Sequence, residues 1–78
     1  MYKLFYVRGE EEQLIAEVNS LEEIKKELVK SFTEKGINSP YQRYVGIMED
    51  EIMIDYGSYS NFYFIRGKGV LGEYFQES

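Results

Sequence analysis

The segment Gly67-Lys68-Gly69-Val70-Leu71-Gly72 has the glycine spacing G-x-G-x-x-G and follows a predicted strand. In dinucleotide-binding folds these glycines open a helix whose amides hold a pyrophosphate. Too few residues follow Gly72 for a helix, a crossover and a second parallel strand, so we expect no dinucleotide site. Arg66, Lys68 and Arg43 remain candidate ligands for a small anion, and the alternative for the first two is a turn with solvated bases.

Carboxylates cluster at two predicted turns, Glu10-Glu11-Glu12 and Glu49-Asp50-Glu51, with Asp55 nearby. Two carboxylates can share acid and base roles only when their environments differ, usually through burial, and acids in turns seldom meet that condition. The spacing also lacks the D-x-[DN]-x-[DN]-G pattern of a calcium loop. We therefore predict neither catalysis nor a metal site. These acids are candidate contacts for a basic partner, unless they only keep a small protein in solution.

The stretch from Tyr56 to Tyr63 alternates aromatic and small polar residues, a composition typical of protein interfaces. Tyrosine provides a large contact area with a polar end. The tyrosines that we predict to bind a partner are Tyr41, Tyr44, Tyr59 and Tyr63. The alternative is that half of the tyrosines belong to the core of the sheet.

The chain has 78 residues, no histidine and no cysteine, and its formal net charge is −5. The absence of cysteine excludes thiol nucleophiles, disulfides and thiolate metal sites, and the absence of histidine removes the side chain most often used as a general acid or base near neutral pH. We expect a non-catalytic protein without a cofactor. The acidic balance disfavours direct nucleic-acid binding. No apolar run is long enough for a membrane span and no signal-peptide pattern is present, so we expect a cytoplasmic protein that does not bind membranes.

These candidate groups must be positioned by a helix that the sequence predicts from Ser20 to Gly36. Ser20 and Glu23 form a capping box, and Gly36 fits the left-handed position at the helix end. The apolar positions have helical spacing and predict the face that covers a sheet; they are Leu21, Ile24, Leu28, Val29 and Phe32.

Five segments read as strands, which gives the order ββαβββ in one α+β domain spanning residues 1–78. Residues 2–8 and 13–19 form a predicted hairpin, in which Leu14, Ala16 and Val18 share a face. Residues 44–48, 51–56 and 62–66 follow as a meander in the same antiparallel sheet, and Gly46 indicates a bulge or a close approach. The final apolar run is a short sixth strand or a turn of helix.

One helix covers one face of such a sheet, yet apolar residues alternate onto both faces. We expect Tyr2, Tyr6, Met53, Tyr63 and Ile65 on the face away from the helix. A sheet of this kind either closes into a small barrel or packs its second face against a partner or another copy of the chain. With eight tyrosines and five phenylalanines in the chain, we expect a homo-oligomer, most simply a dimer.

The functional hypothesis from the sequence is a protein that occludes a site on a larger partner with a basic surface. A phage or mobile-element inhibitor of a host nuclease or defence protein, with carboxylates in place of DNA phosphates and acting in the host cytoplasm, is one form of it. The alternative is an oligomer that binds a nucleotide or another anion in pockets between subunits.

Overall fold

The computed structural model describes residues 1–38 and 42–76, and these form a single antiparallel sheet with helices on one face. In chain order the elements are β1 (Tyr2–Arg8), β2 (Glu11–Val18), α1 (Leu21–Lys35), β3 (Arg43–Met48), β4 (Glu51–Asp55), β5 (Asn61–Arg66) and α2 (Val70–Gln76). The strand order is β2-β1-β5-β4-β3. The predicted α+β class, the hairpin and the meander are confirmed.

Helix α1 begins and ends through the local contacts that its sequence predicts. The Ser20 side chain accepts a hydrogen bond from the Glu23 amide at 3.2 Å. Gly36 has φ 68°, and the Ile37 amide donates to the Phe32 carbonyl at 2.9 Å, which closes the last turn. Val29, however, is 63% exposed, so its predicted place in the covering face is wrong. Ser31, which was not part of the predicted covering face, is buried on α1.

The core lies between the sheet and the two helices. Its fully buried side chains come from β1, β4, β5 and both helices, among them Leu4, Ile24, Ile52, Ile54, Tyr63, Ile65 and Val70. Tyr2, Tyr6, Tyr63 and Ile65 therefore face the helices, and of the residues predicted on the opposite face only Met53 lies there. The sheet is open, with β2 and β3 at its edges, so the barrel alternative is wrong.

Two bulges interrupt the sheet and change the side-chain alternation. In β2, Leu4 pairs with Ala16 but Phe5 pairs with Leu14, so one extra residue turns Leu14 away from Ala16 and Val18. The predicted common face of these three residues is wrong for Leu14, which is 50% exposed. In β3 the bulge predicted at Gly46 is confirmed between Gly46 and Met48.

The glycine-rich segment forms a turn up to Gly69 and then the first residues of α2, which begins at Val70, so the expectation that too few residues remain for a helix is wrong. Two of its glycines are required by close packing and by backbone conformation. A methyl group on Gly67 would lie 2.3 Å from the ring of Tyr2, and Gly69 has φ 71°. The Tyr2 hydroxyl donates to Glu73 and the Tyr74 ring stacks on Tyr44, which joins α2 to the sheet. Of the two alternatives for the final apolar run, the structure has the helix.

Candidate functional site

The face of the sheet opposite α1, here called the open face, is covered by no helix among the described residues. Its centre is an apolar row that crosses all five strands through paired positions. In spatial order the row is Leu14, Phe5, Phe64, Met53 and Val45. Val7 and Phe62, which pair with each other, extend it on one side. Apart from Leu14, these side chains are half-buried, which means that neighbouring side chains cover them only in part.

A charged row runs beside the apolar row, at the end of the sheet where β1 begins. Glu17 pairs with Lys3, Lys3 with Arg66, and Arg66 with Glu51. Lys3 Nζ lies 3.9 Å from a Glu17 carboxylate oxygen. Two basic side chains thus lie between two acidic ones across four strands.

Arg66 connects the two rows. Its Nε donates to Glu51 Oε2 and its Nη1 donates to Glu12 Oε1, both at 2.5 Å. Between these contacts the guanidinium carbon lies 4.6 Å from the ring centre of Phe5 and 5.5 Å from that of Phe64. Hydrogen bonding to Glu51 raises the pKa of Arg66 above its usual value. Arg66 therefore stays charged while it lies on apolar rings.

The acidic residues predicted as partner contacts do not form one surface. The β1–β2 turn, with Glu10, lies at the end of the sheet where β1 finishes. The β3–β4 turn, with Glu49, lies at the other end, because Glu51 pairs with Arg66 and Arg66 with Lys3. The turns also belong to opposite edges of the sheet. They occupy diagonally opposite corners.

Several of these carboxylates hold the fold together. Asp50 Oδ1 accepts from the Gly69 amide at 2.8 Å, and Asp55 Oδ1 accepts from the Gly57 amide at 2.9 Å. Glu51 is 8% exposed and bound to Arg66, and Glu12 also contacts Arg66. Glu10, Glu11 and Glu49 are exposed, and so are Glu12 and Asp50 despite their contacts within the chain. The prediction that Glu51 contacts a partner is wrong, because its carboxylate is buried against its own chain.

The tyrosines predicted as partner contacts have different positions. Tyr63 is fully buried, and its hydroxyl lies 2.7 Å from Ser31 Oγ, so its predicted role is wrong. Tyr44 packs with its ring 4.9 Å from that of Tyr74, and burial raises its pKa to about 12. Tyr59 is fully exposed in the β4–β5 turn. Tyr41 lies outside the described residues.

A cleft of about 580 Å³ lies at the end of the open face, between the N-terminus, the β3–β4 turn and the turn before α2. Three basic residues line it, together with two methionines and two acidic residues: Lys3, Arg66, Lys68, Met1, Met48, Asp50 and Glu51. Arg66 and Lys68, two of the three predicted anion ligands, thus line the same cleft. Arg43 does not join them, because it pairs with Asp55 at the other end of β4.

Sequence reasoning missed the residues that form most of the open face: Phe5, Val7, Val45, Phe62 and Phe64. The signal was present, since β1 and β5 are apolar at successive positions. Period-two alternation cannot say which of two apolar sets faces a helix.

Comparison with models of protein families, with curated proteins and with solved structures finds no match to this chain. Within residues 1–38 and 42–76, no helix is long and apolar enough to cross a membrane. The same residues contain no group of three or more acidic side chains arranged to hold a metal ion.

Proposed function

We propose that this chain is a non-catalytic binding protein whose open face is covered by another protein surface in its working state. The observation that carries the proposal is the apolar row across all five strands. Contiguous exposed apolar surface is costly for a monomer in water and marks interaction sites. Phenylalanines and a centrally placed arginine are also residue types that interfaces favour.

The charges contribute in a different way. Arg66, Glu51 and Glu12 are already paired within the chain, so a docking surface need not supply their counter-charges. The exposed acids at the corners, with a net charge of −5, favour approach by a larger partner that has a basic surface. Occlusion of a host nuclease or defence protein would depend on apolar contact more than on mimicry of phosphates, because the two acidic turns lie at opposite corners of the sheet.

The proposal is tested by placing a photo-crosslinking residue at Met53 on the open face and, as the matched control, at Val29 on α1. Val29 is 63% exposed and lies on the opposite side of the molecule. We expect crosslinked protein from position 53 and little from position 29 in cells that contain the chain. Equal yields from both positions, or none from position 53, would contradict a docking role for the open face.

The cleft favours a second candidate function, the binding of a small anion with an apolar part. Lys3 and Lys68 would meet the anion and the methionines its apolar part. Nucleotides, cyclic nucleotides and inorganic phosphate can be screened by thermal shift, with Lys68→Ala as the comparison. A rise in melting temperature that Lys68→Ala abolishes would support anion binding in the cleft. If none of the probes raises the melting temperature, this second candidate function is wrong.

A further inference from the structure

The β4–β5 turn, residues 56–60, is held by hydrogen bonds at both of its ends. The Gly57 amide donates to Asp55 Oδ1 at 2.9 Å, which closes the start of the turn. The Asn61 amide donates to Ser58 Oγ at 3.1 Å, which closes its end. Side chains of the turn and of the strands beside it thus fix the path of its backbone.

The turn is also joined to the core through Tyr56. The centre of the Tyr56 ring lies 5.8 Å from the ring centres of Phe32 and Tyr63, both of which are buried. The Tyr56 hydroxyl lies 3.1 Å from the hydroxyl of Tyr6. Because a packed core resists displacement, the turn presents its exposed residues from a rigid support.

Tyr59 differs from the rest of the turn because it takes no part in these contacts. Its side chain is fully exposed, and no hydrogen bond, ion pair or ring contact among the described residues includes it. The fold therefore does not require a tyrosine at this position. A small polar residue would suit the turn and would not leave an aromatic ring in water.

The composition of the turn is typical of loops that recognise proteins. From residue 56 to residue 61 the sequence is Tyr-Gly-Ser-Tyr-Ser-Asn. Antibody loops are enriched in these four residue types, because tyrosine gives a large contact area with few rotatable bonds and the small residues supply hydrogen bonds. Here Ser58 and Asn61 fix the backbone, which leaves Tyr59 available for contact.

Apolar surface leads from the apolar row to this turn. Val7 and Phe62, which extend the row, lie at the end of the sheet where β1 finishes and β5 begins. The Ser60 carbonyl, two residues before Phe62, accepts from the Gly9 amide at 3.4 Å, so the β1–β2 turn lies beside the β4–β5 turn. At the opposite end, the apolar row borders the charged row. A partner that covers the apolar row therefore gains apolar contact by extending towards Tyr59.

We infer that Tyr59 is the anchor of the docking surface and enters a pocket in the protein that covers the open face. This inference rests on the proposed function and states what that partner presents. Beyond Val7 and Phe62, the partner has a pocket for a phenol ring, with a hydrogen-bond acceptor for the hydroxyl. A basic group beside this pocket meets Glu10, which is exposed in the adjoining β1–β2 turn.

The experiment measures crosslinking from position 53 in chains that differ at position 59. Tyr59→Ala removes the ring and should lower the yield of the adduct by about tenfold at limiting concentration in cells. Tyr59→Phe keeps the ring and should lower the yield by about threefold or less. Val29→Ala, a truncation at an exposed position of α1, is the matched control and should leave the yield unchanged. Equal losses in Tyr59→Ala and Tyr59→Phe would contradict a pocket that holds the ring.

A photo-crosslinking residue placed at position 59 identifies what lies against the turn. Its adduct should contain the same protein as the adduct from position 53, as determined by mass spectrometry of the digested adducts. Urea titration of Tyr59→Ala should reproduce the unfolding curve of the unaltered chain, because the side chain is fully exposed. A lower crosslinking yield in Tyr59→Ala is then a loss of binding and not a loss of folding.

Failure of this inference can be distinguished from failure of the proposed function. An unchanged yield from position 53 in Tyr59→Ala, or adducts with different proteins from the two positions, overturns the role of Tyr59 and leaves the docking role of the open face in place. An equal loss in Val29→Ala also overturns it, because the effect is then not specific to the turn. Absence of any adduct from position 53 in the unaltered chain removes the docking role and this inference with it.

Discussion

At the scale of single residues, the hydroxyl pair of Ser31 and Tyr63 is the most demanding contact in the core. The two oxygens lie 2.7 Å apart, Tyr63 is fully buried and Ser31 is 3% exposed. A buried hydroxyl that loses its hydrogen-bond partner has also lost its hydrogen bonds to water, so the free-energy cost of desolvation is no longer compensated. This pair explains why a serine occupies the buried face of an otherwise apolar helix stripe.

Ser31→Ala should therefore lower the free energy of unfolding by about 1–3 kcal/mol, because the Tyr63 hydroxyl is left without its partner. The double variant Ser31→Ala/Tyr63→Phe should lose less free energy of unfolding than the two single variants lose in sum. We expect this difference, the coupling energy of the two hydroxyls, to be about 1 kcal/mol. Denaturant titrations of the four proteins measure this. Strict additivity would show that the two hydroxyls do not depend on each other.

The raised pKa of Tyr44 makes the free energy of unfolding depend on pH in the alkaline range. Burial, with the neighbouring Tyr74, raises the pKa of Tyr44 to about 12, above the value of about 10 for an unfolded chain. Folding thus favours the neutral form of Tyr44. The contribution of Tyr44 to the free energy of unfolding is therefore complete below about pH 10 and is lost as the pH rises towards 12. Burial also raises the pKa values of Tyr56 and Tyr63, in the same direction.

The free energy of unfolding should consequently be steady up to about pH 10 and fall between about pH 10 and 12. Tyr44→Phe should make that fall shallower, whereas Tyr59→Phe, at a fully exposed position, should leave it unchanged. Urea titrations across this pH range provide the measurement. A fall of the same steepness in all three proteins would contradict the assignment to Tyr44.

At the scale of elements, α2 is held by close packing at its start. Gly67 leaves room for the Tyr2 ring, whose hydroxyl bonds to Glu73 on α2. The Asp50 carboxylate accepts from the Gly69 amide, and the Glu49 carbonyl accepts from the Leu71 amide at 3.1 Å. The β3–β4 turn and the start of α2 therefore form one unit.

Gly67→Ala should destabilise this unit by about 1–3 kcal/mol, because the added methyl group would overlap a ring that is already fixed. The matched control is Gly72→Ala within α2, where no atom lies within 4 Å of the added carbon. That substitution should stabilise the helix by about 0.5–1 kcal/mol. Amide exchange across α2 distinguishes them, and equal protection in the two variants would refute the packing role of Gly67.

At the scale of the whole molecule, two sets of acids can be separated by what they do. Glu10, Glu11 and Glu49 are exposed at the corners, whereas Asp50 and Glu51 are bound to the chain itself. Neutralising the first set changes the charge that a partner meets. Neutralising the second set breaks contacts within the fold.

The variant Glu10→Gln/Glu11→Gln/Glu49→Gln should keep its free energy of unfolding within about 0.5 kcal/mol of the unaltered chain. The variant Glu49→Gln/Asp50→Gln/Glu51→Gln removes the same amount of charge but should lose about 2–3 kcal/mol, because Arg66 and the Gly69 amide lose charged partners. Thermal and urea denaturation compare them. Equal stability would mean that these internal contacts contribute nothing.

Prediction from the sequence succeeded where contacts are local. The caps of α1 depend on residues within a few positions of each other, so Ser20, Glu23 and Gly36 reveal them. The hairpin β1–β2 and the meander β3–β4–β5 also join neighbours in the sequence. Prediction failed for the face assignment of β1 and β5, because both strands are apolar on both sides.

Local patterns along the chain define the α+β class, the central helix with its two ends and the pairing of consecutive strands. They also show more apolar residues than one layer of helix can cover. Which of those residues are exposed depends on contacts between distant parts of the chain. The pairing of β1 with β5 and the extra residue in β2 align one exposed set on a single face, namely Leu14, Phe5, Phe64, Met53 and Val45. Alternation along a strand defines two faces, and these faces become different only when a helix packs on one of them.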